Sequence, residues 1–387
     1  MHFERMDRDR GGRPRIRRAS QSALERRARG SIPLTRIRGE GLVVPILVCA
    51  TALALFAACL LGSTPMSGQR VLAALLYPFQ PSSEGQSSVA LASGLAMKAA
   101  DSLVVWQIRL PRALAAFITG AALGAGGAAL QGLLRNPLAE PGVLGVSSCA
   151  ALAATFAIHY GLASSSALGA YSVPVAAIAG SVAATTLLAF AASRTSSVLT
   201  LILIGVGLSA FAGALMSLLL NLAPNPFSLA EMINWMLGSV ANRSYDDIAL
   251  VAPFMIAGLA LLFVSRRGLF ALTLGEEAAS GVGLHLGRLR LAVVVGAGLA
   301  AGASVALAGA IGFVGIVAPH LVRPMVGHDP ARSLLPSALL AGLILVLADI
   351  GVRLLPSATE IKLGVAAAIL GAPIFVWIAA RRRSAHG

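Results

Sequence analysis

The sequence predicts an all-α integral membrane protein, a compact bundle of about ten transmembrane helices with both termini in the cytoplasm. Three observations predict this class. The mean hydropathy is +0.82 and only 12% of the 387 residues are charged, about half the share usual in soluble domains. Ten apolar runs come close to the ~20 residues that a spanning helix needs. Basic residues are distributed unequally between the segments that connect these runs.

The apolar runs can be placed in order along the chain. The first follows an arginine-rich stretch that is too long for an ordinary cleaved signal peptide. The predicted spans are residues 41–61, 113–134, 142–163, 171–192, 198–220, 248–264, 291–308, 311–326, 334–350 and 363–380. The eighth is short and is interrupted by Pro319. Residues 63–108 are predicted to form an external loop with short helical pieces.

Charge placement predicts the orientation, because cytoplasmic loops of membrane proteins are enriched in Lys and Arg. With ten spans, 23 of the 30 basic residues fall inside, and twelve of these are arginines within residues 1–40. The seven basic residues predicted outside are Arg70, Lys98, Arg109, Arg112, Arg243, Arg353 and Lys362. The formal net charge of +14 is therefore expected to face anionic lipid of the inner leaflet, and no nucleic-acid partner is expected.

The same reading divides the chain into a basic cytoplasmic tail (1–40), a ten-helix membrane domain (41–383) and a short C-terminal tail (384–387). Gly120 with Gly124, and Gly298 with Gly302, have the spacing that lets membrane helices approach closely. A merely glycine-rich membrane interior explains either pair equally well.

The sequence lacks the residues that several classes of protein function require. The chain has two lysines, Lys98 and Lys362, and neither follows a glycine, so no phosphate-binding P-loop is present. The centres of the spans are almost free of the ionisable residues that ion-coupled carriers use. Asp349 and Arg353 are four residues apart and are expected to pair on one helix face. The three cysteines, at 49, 59 and 149, lie in apolar stretches, and no spacing of Cys and His suggests a metal site.

Six segments resemble one family in order and spacing. They are Arg-Leu-Pro-Arg at 109–112, Asn-Pro-Leu-Ala-Glu-Pro-Gly at 136–142, Trp-Met-Leu-Gly-Ser at 235–239, Gly-Glu-Glu-Ala-Ala-Ser-Gly-Val-Gly at 275–283, Gly-Phe-Val-Gly-Ile-Val-Ala-Pro-His at 312–320 and Gly-Ala-Pro-Ile-Phe at 371–375. Across residues 41–383 the chain resembles the FecCD-type permeases, the membrane subunits of binding-protein-dependent ABC importers for iron–siderophores, haem or cobalamin. The family's ten spans agree with the charge argument.

The chain departs from the family pattern at three places. The usual Glu-Leu-Pro before the last span is here Glu360-Ile-Lys362, which removes a proline and adds a positive charge to the outer surface. Cys149 stands where a glycine is common, and the basic tail of residues 1–40 is longer than usual.

The resemblance implies a transport subunit of a prokaryotic cell membrane and not an enzyme. It implies a second permease subunit, identical or different, two cytoplasmic ATP-binding subunits and an extracytoplasmic substrate-binding protein. No cofactor is expected on this chain, since ATP would bind the partner ATPase. A ferric siderophore is the first expected cargo, with haem and cobalamin open. The rival classes are an ion-coupled secondary transporter and a structural membrane scaffold.

The resemblance also implies site residues. The cytoplasmic loop 269–290 would form a coupling helix against the ATPase, although a solvated acidic turn explains the acids as well. The coupling residues are Gly275, Glu276, Glu277, Ala278 and Gly281. Three arginines on the external face would receive carboxylates of the binding protein, the alternatives being pairing of Arg353 with Asp349 and interfacial positioning of the other two. The docking residues are Arg109, Arg112 and Arg353.

Two short cytoplasmic segments would narrow the pathway, and the fifth span would line it with small side chains that let a large chelate pass unheld. For the first segment an ordinary Asn-Pro turn is an alternative, and for the fifth span helix packing is one. The gate and pathway residues are Asn136, Leu138, Ser196, Ser197, Val198, Leu199, Gly205 and Ser209.

Overall fold

Helices make up most of the chain in the computed structural model, which describes residues 41–62, 66–76, 100–165, 167–195, 197–355 and 360–383. In chain order the helices are α1 (Val43–Leu60), α2 (Gly68–Leu76), α3 (Ala100–Leu133), α4 (Val146–His159), α5 (Gly169–Arg194), α6 (Val198–Asn221), α7 (Pro226–Met236), α8 (Tyr245–Leu274), α9 (Glu276–Gly281), α10 (Leu286–Ala308), α11 (Val314–Val326), α12 (Pro330–Leu354) and α13 (Leu363–Arg383). Shorter helical turns lie at Pro141–Leu144 and Leu162–Ser165. The basic tail 1–40 and the C-terminal residues 384–387 lie outside the described residues.

Apolar length identifies the helices that cross the membrane. Within the described residues, α1, α3, α5, α6, α8, α10 and α12 are long and apolar enough to cross a bilayer. Three shorter apolar helices, α4, α11 and the first part of α13, accompany them. Each predicted span overlaps one of these helices, and the predicted class, an all-helical membrane bundle, is confirmed.

The helical stretch of the second span begins at Ala100 and not at residue 113, so the last part of the predicted external loop is helical. The structure differs from the predicted boundary because Arg109 and Arg112 interrupt the apolar pattern of the sequence. In the structure these arginines lie inside α3, and Asp101 in its first turn pairs with Arg70 of α2 at 2.6 Å. Helix α7 was also not predicted. It begins after Asn225, whose side chain accepts a hydrogen bond from the Ser228 amide at 2.8 Å and so caps the helix.

Helices α3, α10 and α12 form the centre of the bundle. About 78% of the most apolar window of α3 and of α10 is buried, against 17% for α6 at the periphery. Helix α3 packs most extensively on α12 and also contacts α10 and α11. The predicted close approach at Gly120 and Gly124 is present: a Cβ at either position would overlap α12, at Ala341 and Ser337 respectively.

The second predicted glycine pair also makes a close helix contact. A Cβ at Gly298 or Gly302 of α10 would overlap Thr185 or Ser181 of α5. Backbone therefore lies directly against neighbouring helices at both pairs, as expected where lipid supplies no hydrophobic drive for helix association.

Two non-helical segments enter the interior of this bundle. Residues 134–145 turn back after α3, so that Pro141, like Ala297 of α10, lies against Gly126 of α3. Residues 309–313 lead from α10 to α11, where the Gly315 carbonyl contacts Gly127 of α3. Since Gly127 is six residues from the end of α3, this contact lies about 9 Å inside the helix end. Non-helical backbone is tolerated at such depth only where protein surrounds it.

Basic residues predicted on the cytoplasmic side come together in the fold. Arg135 and Arg323 line one cavity of about 330 Å³. Arg266, Arg267 and Arg332 line another of about 430 Å³. Residues that the charge argument assigned to one side of the membrane are thus neighbours at one end of the bundle.

Substitution Gly127→Ala should destabilise the bundle, because the added methyl group would overlap the Gly315 carbonyl. Overpacking of this kind costs about 1–3 kcal/mol. The thermal unfolding midpoint of the detergent-solubilised protein measures it. Gly213→Ala in α6 is the matched control, since nothing lies within 4 Å of its added Cβ. Equal midpoints for the two variants would contradict the packing described here.

Candidate functional site

Asp349 of α12 joins two of the three predicted docking arginines. Its carboxylate accepts hydrogen bonds from Arg112 Nε at 3.0 Å and Nη2 at 2.7 Å, and from Arg353 Nε at 2.8 Å. The Asp349 side chain is 1% exposed, and the side chains of Arg112 and Arg353 are 14% and 7% exposed. The expected pairing of Asp349 with Arg353 is confirmed, and Arg112 is an additional partner from α3.

The arginines also hold the end of α1. Arg109 is 4% exposed and donates to the carbonyl oxygens of Cys59 at 2.8 Å and Leu60 at 2.9 Å. Arg353 donates to the Ala58 carbonyl at 3.0 Å. The end of α1, the first part of α3 and the end of α12 are therefore tied together by charged hydrogen bonds. Interfacial positioning of Arg109 and Arg112 stays an alternative.

Glu360 provides the exposed part of this cluster. It forms an ion pair with Arg112, and its side chain is 40% exposed while that of Arg112 is mostly buried. The surface that this cluster offers to solvent thus includes a carboxylate already paired with a predicted docking arginine. Docking itself stays a prediction.

The predicted coupling loop contains α9, a helix of six residues. Gly275 precedes it with a φ of 105°, a conformation that residues with a side chain rarely adopt. Glu277, Ala278 and Gly281 are exposed, whereas Ala279 is buried against the bundle. A Cβ added at Gly281 meets nothing within 4 Å.

Apolar side chains flank α9 on the surface. Leu274 is 64% exposed and Val282 is 71% exposed. Glu276 pairs with Arg290 of α10 at 3.0 Å, so this acid is engaged within the chain, while Glu277 extends from the exposed side. The segment is anchored through Ala279 and Glu276 and presents a small apolar and acidic surface.

The first predicted gate segment is bonded to the chain that leads into α9. Arg135, in the left-handed region with a φ of 49°, donates to the Leu272 carbonyl at 2.6 Å. The Asn136 side chain accepts a hydrogen bond from the Leu138 amide at 3.0 Å, which fixes an Asn-Pro turn. Leu138 is partly exposed. The turn predicted as the alternative is thus present, and its gating role stays a prediction.

The second predicted gate segment begins α6. The Ser197 hydroxyl accepts from the Thr200 amide at 3.2 Å and caps the helix. Leu199 is 65% exposed, and Val198 is partly buried against the core. Ser196 lies outside the described residues.

The small residues of α6 have packing partners. Gly205 is buried, and a Cβ there would lie 2.6 Å from Leu144 Cα in the turn Pro141–Leu144. The Ser209 hydroxyl lies 3.5 Å from the Gly142 carbonyl. The helix-packing alternative therefore accounts for both residues. The exposed face of α6 carries large apolar side chains, among them Leu203, Val206, Phe211 and Leu218.

The structure joins two segments that carry the family resemblance. The Glu140 carboxyl group accepts a hydrogen bond from the backbone of Phe313, and an added Cβ at Gly315 would lie 3.5 Å from Glu140 Oε2. Phe313 has a φ of 65° and immediately precedes α11. A carboxylate at a helix N-terminus is favourably placed for unpaired amides. Sequence reasoning quoted Glu140 within a motif but gave it no role; its signal was an acid between two apolar spans.

The described residues contain no group of three or more His, Cys, Asp or Glu side chains arranged to hold a metal ion.

Comparisons with known proteins agree with this geometry. The family model for the FecCD transport family matches residues 49–381. The uncharacterized ABC transporter permease protein YvrB of Bacillus subtilis is 38% identical over 283 residues, which cover 72% of this chain and 79% of that protein. The vitamin B12 import system permease protein BtuC of Salmonella typhimurium is 40% identical over 289 residues, covering 74% and 87%.

A solved structure is also similar. It is an inward-facing conformation of a metal-chelate type ABC transporter, with a TM-score of 0.72 and 29% sequence identity, covering 88% of this chain and 99% of that one. Family match, relatives and structure all describe a multi-pass inner-membrane transport subunit. The chain therefore belongs to the FecCD transport family of ABC importer permeases.

Proposed function

We propose that this chain forms, with a second permease subunit, the membrane pathway through which an ABC importer moves a metal chelate. The observation that carries the proposal is α9, an anchored helix whose exposed side has open space around it. ATP binds a separate cytoplasmic ATPase, and this chain needs no cofactor of its own. Vitamin B12, named for the BtuC relatives, is the first chelate to test, and a ferric siderophore or haem follows from the family resemblance.

Helix α9 is the proposed contact for the ATPase. Its exposed residues, together with Leu274 and Val282, offer a ridge that can insert into a partner groove. Movement of α9 would reach the first gate segment through the Arg135–Leu272 hydrogen bond. A rigid displacement of the ATPase would in this way be coupled to residues 134–139.

The arginine cluster is the proposed contact for the extracytoplasmic binding protein. Asp349 is the shared ion-pair partner of Arg112 and Arg353. The positive charge that the binding protein could reach is therefore that of Arg112, which is paired with Glu360 in the free chain. A carboxylate of the binding protein would exchange with Glu360 on Arg112. Such exposed pairs contribute about 0–1 kcal/mol each, and their larger effect is on steering and orientation.

The exposed apolar face of α6 is the proposed contact for the second permease subunit. A face of leucine, valine and phenylalanine with few polar atoms suits either lipid or another helix. Leu138 and Leu199, the exposed residues of the two gate segments, would meet their counterparts near the dimer axis and close the pathway.

Reconstitution tests the function as a whole. The chain, its candidate ATPase and its candidate binding protein, in proteoliposomes, should import labelled cobalamin or a ferric siderophore only with ATP. Uptake driven by an ion gradient alone would identify a secondary transporter instead.

Gly281→Trp should abolish co-purification of the ATPase without unfolding the chain, because the side chain enters open space. Ser193→Trp, exposed at the end of α5, is the control and should retain the ATPase.

Cysteine crosslinking tests the gate. In a variant lacking Cys49, Cys59 and Cys149, a single cysteine at Leu138 or Leu199 should form a disulfide across the dimer in one nucleotide state and not in the other. The measurement is the fraction of crosslinked dimer on a non-reducing gel with ATP, with ADP and without nucleotide. Phe156, exposed on α4, gives a control position that should not crosslink. Absence of a crosslink in every state at both positions would remove the gating role.

Substitutions at Asp349 and Glu360 distinguish the structural role of the arginines from their proposed role in docking. Asp349→Asn leaves two mostly buried guanidinium groups without their shared counter-charge, which should lower stability by about 3–5 kcal/mol. Glu360→Gln removes a half-exposed partner of the same Arg112 and should cost under about 1 kcal/mol. Chemical unfolding in detergent measures both. With the binding protein, Glu360→Gln should raise affinity in a salt-dependent manner, and unchanged affinity would argue against the exchange.

A further inference from the structure

A small cavity opens at the same end of the bundle as Glu360 of the arginine cluster. It has a volume of about 180 Å³ and forms where α7, the segment 238–244, the end of α10 and the start of α13 meet. Its lining includes Glu231, Trp235, Ser239, Arg243, Gly309 and Lys362. Backbone hydrogen bonds fix its walls, from the Ser239 amide to the Ala308 carbonyl at 2.7 Å and from Gly364 to Gly238 at 3.1 Å.

Arg243 is a half-buried cation in the lining of this cavity, and one of its donors has no partner in the described part of the chain. Its Nε is inaccessible to solvent and has no hydrogen-bond partner among the described residues. Burial lowers the pKa of the guanidinium, and the nearby Asp247 charge raises it. The Asp247 carboxylate is itself occupied by the capping box of α8, where it accepts from the Ser244 amide at 2.8 Å and the Ser244 hydroxyl at 3.0 Å. Because Nε has no accessible surface, a group bound in the cavity reaches only the remaining, accessible part of the Arg243 side chain.

Lys362 supplies a second positive charge to the same cavity. It is half-buried just before α13, and it is the residue by which the chain departs from the family's usual Glu-Leu-Pro. The acid in the lining is Glu231, which is exposed on α7. Within the described part of the chain, neither Lys362 nor Glu231 forms an ion pair. The inner part of the cavity therefore carries two cations and its rim one acid.

We propose that this cavity is an entrance subsite that binds an anionic oxyacid group, a carboxylate or a phosphodiester, on one arm of the imported chelate. The inference rests on the proposed transport function and specifies which cargo it favours. Arginine and lysine are the side chains that bind such groups, arginine through its planar donors and lysine as a point charge. A volume of about 180 Å³ holds a single substituent and not a whole chelate, so the subsite selects cargo by the charge on its periphery.

Lysine labelling tests the subsite directly, because the chain has only two lysines, Lys362 in the cavity and Lys98 outside the described residues. The full chain in zwitterionic lipid nanodiscs is acetylated with an amine-reactive reagent, and both lysines are quantified by mass spectrometry. Ferric citrate, a carboxylate chelate, or cyanocobalamin, which carries a phosphodiester, should slow the acetylation of Lys362 and not of Lys98. Dicyanocobinamide, which lacks the phosphodiester, and the neutral chelate ferrichrome should leave both rates unchanged.

Variants identify the groups responsible. Arg243→Gln should raise the concentration of anionic chelate that gives half protection about tenfold, as expected for loss of one charged hydrogen bond. Arg243→Lys should recover part of this loss. Glu231→Gln, which removes the rim acid, should lower the same concentration.

The outcomes that overturn the proposal are distinct from failure of transport. Equal protection by cyanocobalamin and dicyanocobinamide together with none by ferric citrate, or no protection by any chelate, would exclude an anion subsite. Protection of Lys362 by phosphatidylglycerol in the nanodisc without any chelate would make the cavity a lipid site. Because labelling needs neither ATPase nor binding protein, loss of ATP-driven uptake in reconstitution would refute the transport function while the labelling result stands by itself.

Discussion

Backbone-to-backbone contact along α3 is the constraint on which the rest of the bundle depends. Gly120 and Gly124 let α12 approach until a single methyl group would overlap it, and Gly127 does the same for the start of α11. In lipid, apolar side chains gain little by leaving one apolar surface for another, so association depends on such close packing and on polar contacts. The exposed α6 lacks comparable contacts over most of its length, which leaves it available to a further partner.

This close packing makes room for the two non-helical segments inside the bundle. Residues 134–145 and 309–313 would expose unpaired backbone groups if they faced lipid. They lie against α3 and α10, and the Glu140 carboxyl group accepts a hydrogen bond from the backbone of Phe313. The segments at 136–142 and 312–320 are thus parts of one structural unit. That unit is connected through Arg135 to the chain before α9. The proposed gate segment, the interior segment and α9 are therefore in continuous contact.

The sequence predicted what depends on local pattern. Ten apolar runs correspond to ten apolar helices, and the i, i+4 pairing of Asp349 with Arg353 follows from spacing alone. It did not predict that Arg112 joins Asp349, because these residues are 237 positions apart and only the packing of α3 on α12 brings them together. Helix α3 begins before the predicted start for the same reason, since its arginines have buried partners that the sequence does not reveal. Helix α7 has eleven residues, too few to be recognised as a span.

Gate and pathway residues were harder to predict, because glycine and serine have the same pattern in a pore wall and in a helix contact. Gly205 and Ser209 illustrate this, since both lie against the turn Pro141–Leu144.

Charged side chains are more informative than small ones once the structure shows their hydrogen-bond and ion-pair partners. Asp349, Glu360 and the carbonyl oxygens of α1 are the hydrogen-bond partners of the three arginines of the cluster. Arg243 and Lys362, by contrast, share a cavity whose one acid among the described lining residues, Glu231, is exposed. A wall of apolar and small side chains cannot distinguish cargo by charge. If the importer does so, cations that face the cargo have to take part, and the cavity beside α7 brings two of them, Arg243 and Lys362, together.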